Sequence, residues 1–225
     1  MQTISVLLTV HDRKDKTLLC LDSVFKQTLP EGHYIDVWLV DDGCTDGTPE
    51  AIREQFPNVN IISGDGDLFW NRGMRLAWQT AAEHKDYDYY LWLNDDTFIH
   101  ENCIETLLQE SRKHGNKAII IGSTSAVGNS SITTYGGWTS KEGLLKAADK
   151  AQECETFNGN IVLFPRYVYQ TVGINTTIFH HAGGDTEYGL RAARNGIKCI
   201  VAAGILGECD LHEKPFVWCD PAQPL

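Results

Sequence analysis

The segment IDVWLVDDGCTDGT, residues 35–48, decides the fold class of this chain. Its first half is a short apolar run rich in β-branched residues, which predicts a buried strand over residues 35–40. The strand ends in two aspartates and a glycine. Thr48 as a cap and Pro49 at the first helical position then predict a helix that runs to Phe56. A strand that passes through an Asp/Gly turn into a helix is the unit of open parallel sheets.

The same alternation extends to both sides of this segment. Apolar runs predict strands at 4–10, 59–62, 89–93 and 118–121. Helical spacing of apolar residues predicts helices at 15–28, 71–84 and 101–114. Repeated alternation of this kind is typical of βαβ units, so the first half of the chain is predicted to be an α/β parallel sheet.

The second half of the chain is less regular. It predicts a hairpin or mobile loop at 132–145, strands at 160–164 and 197–202, and a helix at 185–195 that Gly196 ends. No Pro/Ser-rich linker or charge run divides the chain. Its 225 residues are therefore predicted to form one domain.

The composition excludes several classes of protein. Hydrophobic residues make up 42% of the chain and charged residues 22%, which indicates a globular protein and excludes disorder. With 19 basic and 30 acidic residues, the net charge of −11 disfavours nucleic-acid binding and a polybasic membrane patch. No apolar run of about 18 residues and no signal-peptide pattern is found, so a cytoplasmic protein is expected. Seven cysteines without a CxxC pair are typical of a reducing compartment.

Aspartates follow three of the predicted strands, and ligands of open parallel sheets bind outside the carboxyl ends of strands. The carboxylate of Asp42 could accept a hydrogen bond from a base or a ribose, or could belong to an Asp-Gly turn. Asp95 and Asp96 are adjacent and should repel each other. A divalent cation that also holds substrate phosphates would neutralise them, whereas capping of the next helix is the alternative.

Asp185 follows two glycines at the start of a predicted helix. It could act as a general base on a hydroxyl group or as a simple N-cap. Arg191 lies one helical turn after Glu187, and this spacing predicts an ion pair.

Other chemistries have little support in the sequence. The set Cys199, Cys209, His212 and Cys219 lacks the tight ligand spacing of known zinc sites. The chain contains no GxGxxG or GxxxxGK[ST] string, which disfavours dinucleotide and P-loop sites. GxSxG and HExxH are absent as well.

Six strings in order, ISVLLTVHDR, VWLVDDGCTDGT, GDGDLFWNRGM, YLWLNDDT, FNGNIVLFPR and GGDTEYGLRAARNG, resemble glycosyltransferase family 2. The resemblance covers roughly residues 3–205. It implies a single GT-A domain with a central, mostly parallel sheet flanked by helices and a small antiparallel sheet on the acceptor side. In that domain, residues 1–122 would bind the nucleotide sugar, and residues 123–225 would bind the acceptor and supply the catalytic base.

The resemblance also implies an inverting transfer of one sugar. The donor would be a nucleoside-diphosphate sugar, and the acceptor a polysaccharide or lipid-linked glycan. A single aspartate facing the base weakly favours UDP or dTDP. The chain ends soon after its last predicted strand, which favours single addition over polymerisation. Peripheral contact with the inner face of the membrane is compatible with this interpretation.

Residue roles follow from the same resemblance. Asp185 matches the catalytic base, and Asp96 and His212 match ligands of a divalent cation, Mg²⁺ or Mn²⁺. The residues expected at the nucleotide sugar are Thr9, His11, Asp42, Asp67, Asn71, Arg72 and Asp95. Trp70 is expected at the nucleotide sugar, and Trp138, Gly184 and Glu187 are expected on the acceptor side. Either tryptophan could stack on sugar or base, or pack in the core. The region at about 125–145 is a candidate lid over bound donor.

The chain departs from the family pattern at two places. Phe69-Trp70-Asn71 stands where the family usually has Ala-Arg-Asn, and Gly184 stands where it usually has glutamate. Two alternatives remain open. A sugar-phosphate nucleotidyltransferase would ordinarily carry a glycine-rich loop after the first strand, and VHDRKDKT has no glycine. A non-catalytic nucleotide-sugar-binding relative is the other.

Overall fold

The structure, a computed structural model, describes residues 1–211, and that part of the chain contains six helices and thirteen strands. The helices are α1 (Lys14–Phe25), α2 (Thr48–Gln55), α3 (Phe69–His84), α4 (Cys103–Lys113), α5 (Arg166–Val172) and α6 (Gly184–Arg194). The strands are β1 (Gln2–Val10), β2 (His33–Asp41), β3 (Val59–Ser63), β4 (Tyr89–Leu93), β5 (Phe98–Ile99), β6 (Ile119–Ala126), β7 (Asn129–Tyr135), β8 (Gly137–Thr139), β9 (Gly143–Leu144), β10 (Gln152–Cys154), β11 (Thr156–Phe157), β12 (Ile161–Pro165) and β13 (Cys199–Glu208).

One large sheet runs through the described part of the chain in the order β10-β13-β6-β12-β4-β1-β2-β3. Strands β4, β1, β2 and β3 are parallel, so their carboxyl ends lie at one edge. Strand β12 is antiparallel to β4 and β6, whereas β13 is parallel to β6. A second, antiparallel sheet joins β11, β8 and β9. The predicted fold class, a mostly parallel central sheet with a small antiparallel sheet, is confirmed.

Two apolar layers cover the two faces of the large sheet. Successive side chains of a strand point to opposite faces, and β1 shows this directly. Val6 and Leu8 pack in the layer that contains α1, α2 and α4, whereas Leu7 packs in the layer that contains α3, α5 and α6. Because both faces are covered, the parallel strands are continuous apolar runs, and the polar strand ends are left to form a site.

Several boundaries differ from the predictions. Thr48 is not a cap: it is the first residue of α2, and Gly47 takes the N-cap position with a φ of 80°. Helix α3 begins at Phe69, two residues before the predicted start, and β13 continues to Glu208. Helix α5 was not predicted. In the region expected to be a hairpin or loop, β7 pairs with β6 and β8 pairs with β9, which supports the hairpin alternative. Within residues 1–211 no helix is both long and apolar enough to cross a membrane.

Candidate active site

A cavity of about 490 Å³ opens at the carboxyl ends of β1, β2 and β4. Seven of the predicted site residues line it: Thr9, His11, Asp42, Trp70, Asp95, Asp96 and Asp185. Further lining residues include Arg13, Phe69, Asn94, Tyr135, Asn158, Gly159, Asn160 and His181. The cavity thus joins the strand ends of the first half to the start of α6 in the second half.

Asp95 and Asp96 follow β4 and carry two adjacent, buried carboxylates. Their side chains are only 9% and 8% exposed. The Nη1 of Arg13 lies 3.3 Å from Asp95 Oδ1 and 2.9 Å from Asp96 Oδ2. The other oxygen of Asp95 has no hydrogen-bond partner among the described residues. Burial raises the pKa of Asp95 to about 7, although the charge of Arg13 acts in the opposite direction.

This pair fits a divalent cation. It offers hard oxygen ligands, one of which is buried without a partner, and a single guanidinium, that of Arg13, faces both carboxyl groups. The thiol of Cys209 also approaches Asp96 Oδ1, at 3.7 Å. His212, the other predicted metal ligand, lies outside the described residues.

A second group of metal-binding residue types, Asp12, Cys44 and Asp46, brings its ligand atoms within 4.8 Å of one another. The carboxylates of this group are engaged by the backbone. Asp12 Oδ1 accepts the N–H of Thr45 at 2.6 Å, and Asp46 Oδ2 accepts the N–H of Lys14 at 2.9 Å. Burial raises the pKa of the Cys44 thiol to about 12, which disfavours a thiolate ligand. The Asp95/Asp96 pair is therefore the better cation site.

Asp42 closes the loop between β3 and α3. It is almost fully buried, and its carboxylate accepts the backbone N–H groups of Gly66 at 2.9 Å, Leu68 at 3.1 Å and Phe69 at 2.9 Å. Phe69 is held with a φ of 53°, a conformation that is rare for an aromatic residue. Asp42 also lines the cavity, and its expected contact with a base remains a prediction.

Asp185 lies on the first turn of α6, after Gly183, which is the N-cap with a φ of 89°. The N–H of Thr186 donates to Asp185 Oδ1 at 2.8 Å, and the N–H of Gly159 donates to Oδ2 at 3.1 Å. Burial raises the pKa of the Asp185 carboxyl. These bonds fix the orientation of a carboxylate whose affinity for a proton is increased, and both properties suit a general base.

Trp70 forms one wall of the cavity and also packs in the core. Its Nε1 donates to Asn94 Oδ1 at 2.7 Å, and its ring meets Trp92 edge to face at 5.4 Å between centroids. The expected core packing of Trp70 is therefore observed, whereas its stacking on a sugar or base remains a prediction. Gly159 faces the indole so closely that a Cβ there would overlap the ring.

The position of Asn71 explains why residue 184 is a glycine. A Cβ at position 184 would overlap the Oδ1 of Asn71, so the glutamate that the family usually carries has no room here. The amide of Asn71 is fully buried and donates to the carbonyls of Thr176 at 2.8 Å and Phe179 at 2.6 Å. Asn71 therefore holds the segment before α6 in place.

The remaining predicted residues do not line the cavity. Asp67 is 74% exposed and lies 3.7 Å from His180, and Arg72 is half-buried on the first turn of α3. Trp138 is 42% exposed, and its Nε1 donates to Asn158 Oδ1 at 2.9 Å. Glu187 pairs with Arg191 at 2.7 Å, and that predicted ion pair is confirmed.

Sequence reasoning missed Arg13 and the Asn158-Gly159-Asn160 turn. Arg13 stands three residues after β1, and a signal was available, because the end of β1 lies beside the end of β4 in a parallel sheet. The turn lies in the string FNGNIVLFPR directly before β12, where Asn160 donates to Thr97 at 3.2 Å.

The family model described as Glycosyl transferase family 2 matches residues 5–173. The hyaluronan synthase of Streptococcus pyogenes is 29% identical over 111 residues, which are 47% of this chain and 25% of that protein. The poly-beta-1,6-N-acetyl-D-glucosamine synthase of Staphylococcus epidermidis is 25% identical over 180 residues, which are 77% of this chain and 42% of that protein. The chain therefore spans less than half the length of these curated relatives.

Solved structures resemble the fold over almost the whole chain. S. aureus TarS superimposes with a TM-score of 0.68 at 12% identity and covers 94% of this chain and 37% of its own. The mannosyltransferase PcManGT from Pyrobaculum calidifontis, solved with GDP-Man and Mn²⁺, has a TM-score of 0.67 at 17% identity and covers 95% of this chain and 58% of its own. At these identities the likeness shows the fold, and it confirms the predicted GT-A architecture.

Proposed function

The chain belongs to glycosyltransferase family 2, and on that premise we propose that its cavity binds a nucleoside-diphosphate sugar and transfers the sugar to a hydroxyl group of a glycan. One observation carries the proposal. Asp95, Asp96 and Asp185 all line one cavity; the two aspartates after β4 are buried, and Asp185 is partly buried. The names of the relatives, which are polysaccharide synthases, support a glycan acceptor.

The donor half of the cavity is proposed to lie at the ends of β1, β2 and β4. Asp96, with Asp95, would hold Mg²⁺ or Mn²⁺, and His212 stays a proposed further ligand. When bound, the cation would stabilise the charge that develops on the diphosphate leaving group. Thr9, His11 and Asp42 line the same region and are proposed to contact the nucleoside, for which UDP or dTDP remains the expectation.

Asp185 is proposed to be the general base. Its carboxylate would take the proton of the acceptor hydroxyl while that oxygen attacks the anomeric carbon. The bond between that carbon and the diphosphate breaks on the opposite face, so the anomeric configuration inverts. The backbone N–H groups of Gly159 and Thr186 keep the carboxylate oriented during this step. One carboxylate is enough, because the leaving diphosphate needs charge stabilisation rather than a proton.

Aromatic residues on the cavity wall are suited to sugar rings. Phe69, Trp70 and Tyr135 line it, and Phe69 is half exposed next to His180, with 4.5 Å between ring centroids. Such rings bury the apolar face of a sugar while its hydroxyls reach polar groups. These three rings are proposed to border the sugar of the donor or the first sugar of the acceptor.

Calorimetric titration with UDP, dTDP, GDP and CDP, each with and without Mn²⁺ or Mg²⁺, tests the donor site. We expect one nucleotide to bind with the cation and far more weakly without it. Asp96→Asn should abolish the cation dependence, whereas Glu101→Gln, which changes an exposed carboxylate outside the cavity lining, should not. Absence of binding by every nucleotide would refute the donor site. Binding without any transfer to glycan acceptors would favour the non-catalytic alternative.

A further inference from the structure

Arg13 contacts both aspartates after β4 through one nitrogen. Its Nη1 bonds to Asp95 Oδ1 and Asp96 Oδ2, so a cation held between the two carboxylates would compete with the guanidinium for them. The two aspartate side chains are almost fully buried, but the side chain of Arg13 is 42% exposed at the wall of the cavity. The arginine can therefore leave the carboxylates, whereas the carboxylates cannot turn to solvent.

The backbone around Arg13 is fixed, so any change is confined to its side chain. The carbonyl of Arg13 accepts the N–H and the hydroxyl of Thr17, both at 2.9 Å, at the start of α1. Two residues earlier, the Nδ1 of His11 lies 2.7 Å from the carbonyl of Asp42. The loop between β1 and α1 is thus tied to its own helix and to the end of β2.

Charge balance indicates where the arginine would go. One guanidinium opposes two carboxylates in the free protein, and a divalent cation in its place would neutralise both. The displaced guanidinium would then lie without a partner in a cavity that receives a diphosphate. The planar fork of arginine matches phosphate oxygens better than the single-nitrogen contact it makes here.

We propose that Arg13 exchanges partners during donor binding, leaving Asp95 and Asp96 for the donor diphosphate when a divalent cation takes the two aspartates. This inference rests on the proposed donor site. A cation that binds alone would displace Arg13 and leave it without a new partner. A cation that binds together with a nucleoside diphosphate would leave Arg13 beside phosphate oxygens, which become its new partner. Each ligand should therefore increase the affinity for the other, because such coupling is reciprocal.

Mn²⁺ titration followed by electron paramagnetic resonance tests the exchange. Affinity for Mn²⁺ is measured alone and with a saturating amount of whichever of UDP, dTDP, GDP and CDP binds most tightly. In the wild type, we expect the nucleotide to tighten Mn²⁺ binding on the order of tenfold or more. Arg13→Met should bind Mn²⁺ alone more tightly than the wild type does, and its coupling factor should fall about fivefold or more.

Two further variants separate contact from charge. Lys16→Met removes the same charge from an exposed residue of α1 that has no bond to the aspartates, and it should keep the wild-type coupling. Arg13→Lys keeps a charge and loses the planar fork. Arg13→Lys should bind Mn²⁺ alone with the wild-type affinity but show a smaller coupling factor. If Arg13→Met does not fold, the coupling factor of Arg13→Lys tests the proposal instead.

The outcomes distinguish this inference from the proposed function. If a nucleotide binds with cation dependence and Arg13→Met or Arg13→Lys has the wild-type coupling factor, partner exchange is refuted while the donor site stands. An equal change in Lys16→Met would also refute it, because general charge would then be the cause. If none of the four nucleotides binds the wild type, both proposals fail together.

Discussion

The acidic strings after β2 and β4 look alike in the sequence, but the structure holds them in opposite ways. After β2, Asp42 accepts three backbone N–H groups, and Asp41 accepts the N–H of Cys44 at 2.9 Å. After β4, Asp95 and Asp96 share one nitrogen of Arg13, and one oxygen of Asp95 has no partner within residues 1–211. The number of backbone donors, rather than the number of aspartates, separates the two strings.

This difference has a physical consequence for stability and binding. A buried carboxylate surrounded by N–H groups is stabilised by the fold itself. A buried carboxylate without them is destabilised until a positive charge arrives. Asp185 is intermediate, since it accepts two N–H groups and yet has a raised pKa from burial.

Asp185→Asn should reduce sugar transfer by ~10²–10⁴-fold, the usual contribution of a general base. Donor binding should be retained, because Asp185 is not among the proposed cation ligands. The rate of nucleoside-diphosphate release with a panel of glycan acceptors measures the first quantity, and calorimetry with the donor nucleotide measures the second. Transfer at the wild-type rate would remove Asp185 from the mechanism.

The pH dependence of transfer gives a second test of Asp185. Burial raises the pKa of its carboxyl, and only the ionised form can accept a proton. The rate should therefore fall as the pH falls through this raised pKa, from a higher pH than an exposed aspartate would give, and by about tenfold per pH unit below it. The logarithm of the rate is plotted against pH at saturating cation and donor, because Asp95, whose pKa burial raises to about 7, would otherwise lose its cation over the same range. Circular dichroism at each pH is the control for folding. A rate that stays constant down to the ordinary pKa of aspartate would contradict the assignment.

Asp42→Asn should lower the free energy of unfolding by about 1–3 kcal/mol. In the wild type, both oxygens of Asp42 accept backbone N–H groups. In either orientation of the asparagine amide, its NH₂ group would face at least one of these N–H groups, which would then lose its acceptor. Asp96→Asn is the comparison variant. It removes one of two adjacent carboxylates that repel each other and leaves Arg13 paired with Asp95, so the free energy of unfolding should be unchanged or higher. Urea unfolding of both variants measures the contrast.

The outcome for Asp42 also decides its expected role at the base. If Asp42→Asn is as stable as the wild type and only its nucleotide affinity falls, the carboxylate serves the ligand rather than the loop. The comparison between the two acidic strings would then be wrong.

The sequence predicted best the elements that are buried on every side. The bounds predicted for β4 agree with the structure, because an uninterrupted apolar run is typical of a central parallel strand. Helix α5 was not predicted because its sequence, RYVYQTV, is rich in aromatic and β-branched residues that have low helix propensity. The extension of β13 was missed because Gly204, with a φ of 79°, interrupts the pattern.

For the site, the sequence indicated the strand ends but not the partners. Parallel strands bring their carboxyl ends to one edge, so the convergence of Thr9, Asp42 and Asp96 on one cavity could be predicted. The partners depend on contacts between distant segments. Asn71 was expected at the donor, but its amide is bonded to carbonyls more than 100 residues away. No local pattern contains that information.

Glu187 gives the smallest expected effect and tests the acceptor side. It was expected to face the acceptor, yet it pairs with Arg191 on α6 at 2.7 Å and does not line the cavity. Glu187→Gln should lower the free energy of unfolding by only about 0.3–1 kcal/mol, because the pair is partly exposed and Arg191 keeps its bonds to the carbonyls of Val172 and Ile174. The KM for the acceptor should not change, and Asp185→Asn provides the reference for a variant at the reacting centre. A raised KM with unchanged stability would support the expected place of Glu187 at the acceptor site. It would also mean that a carboxylate held in an ion pair with an arginine still binds the acceptor.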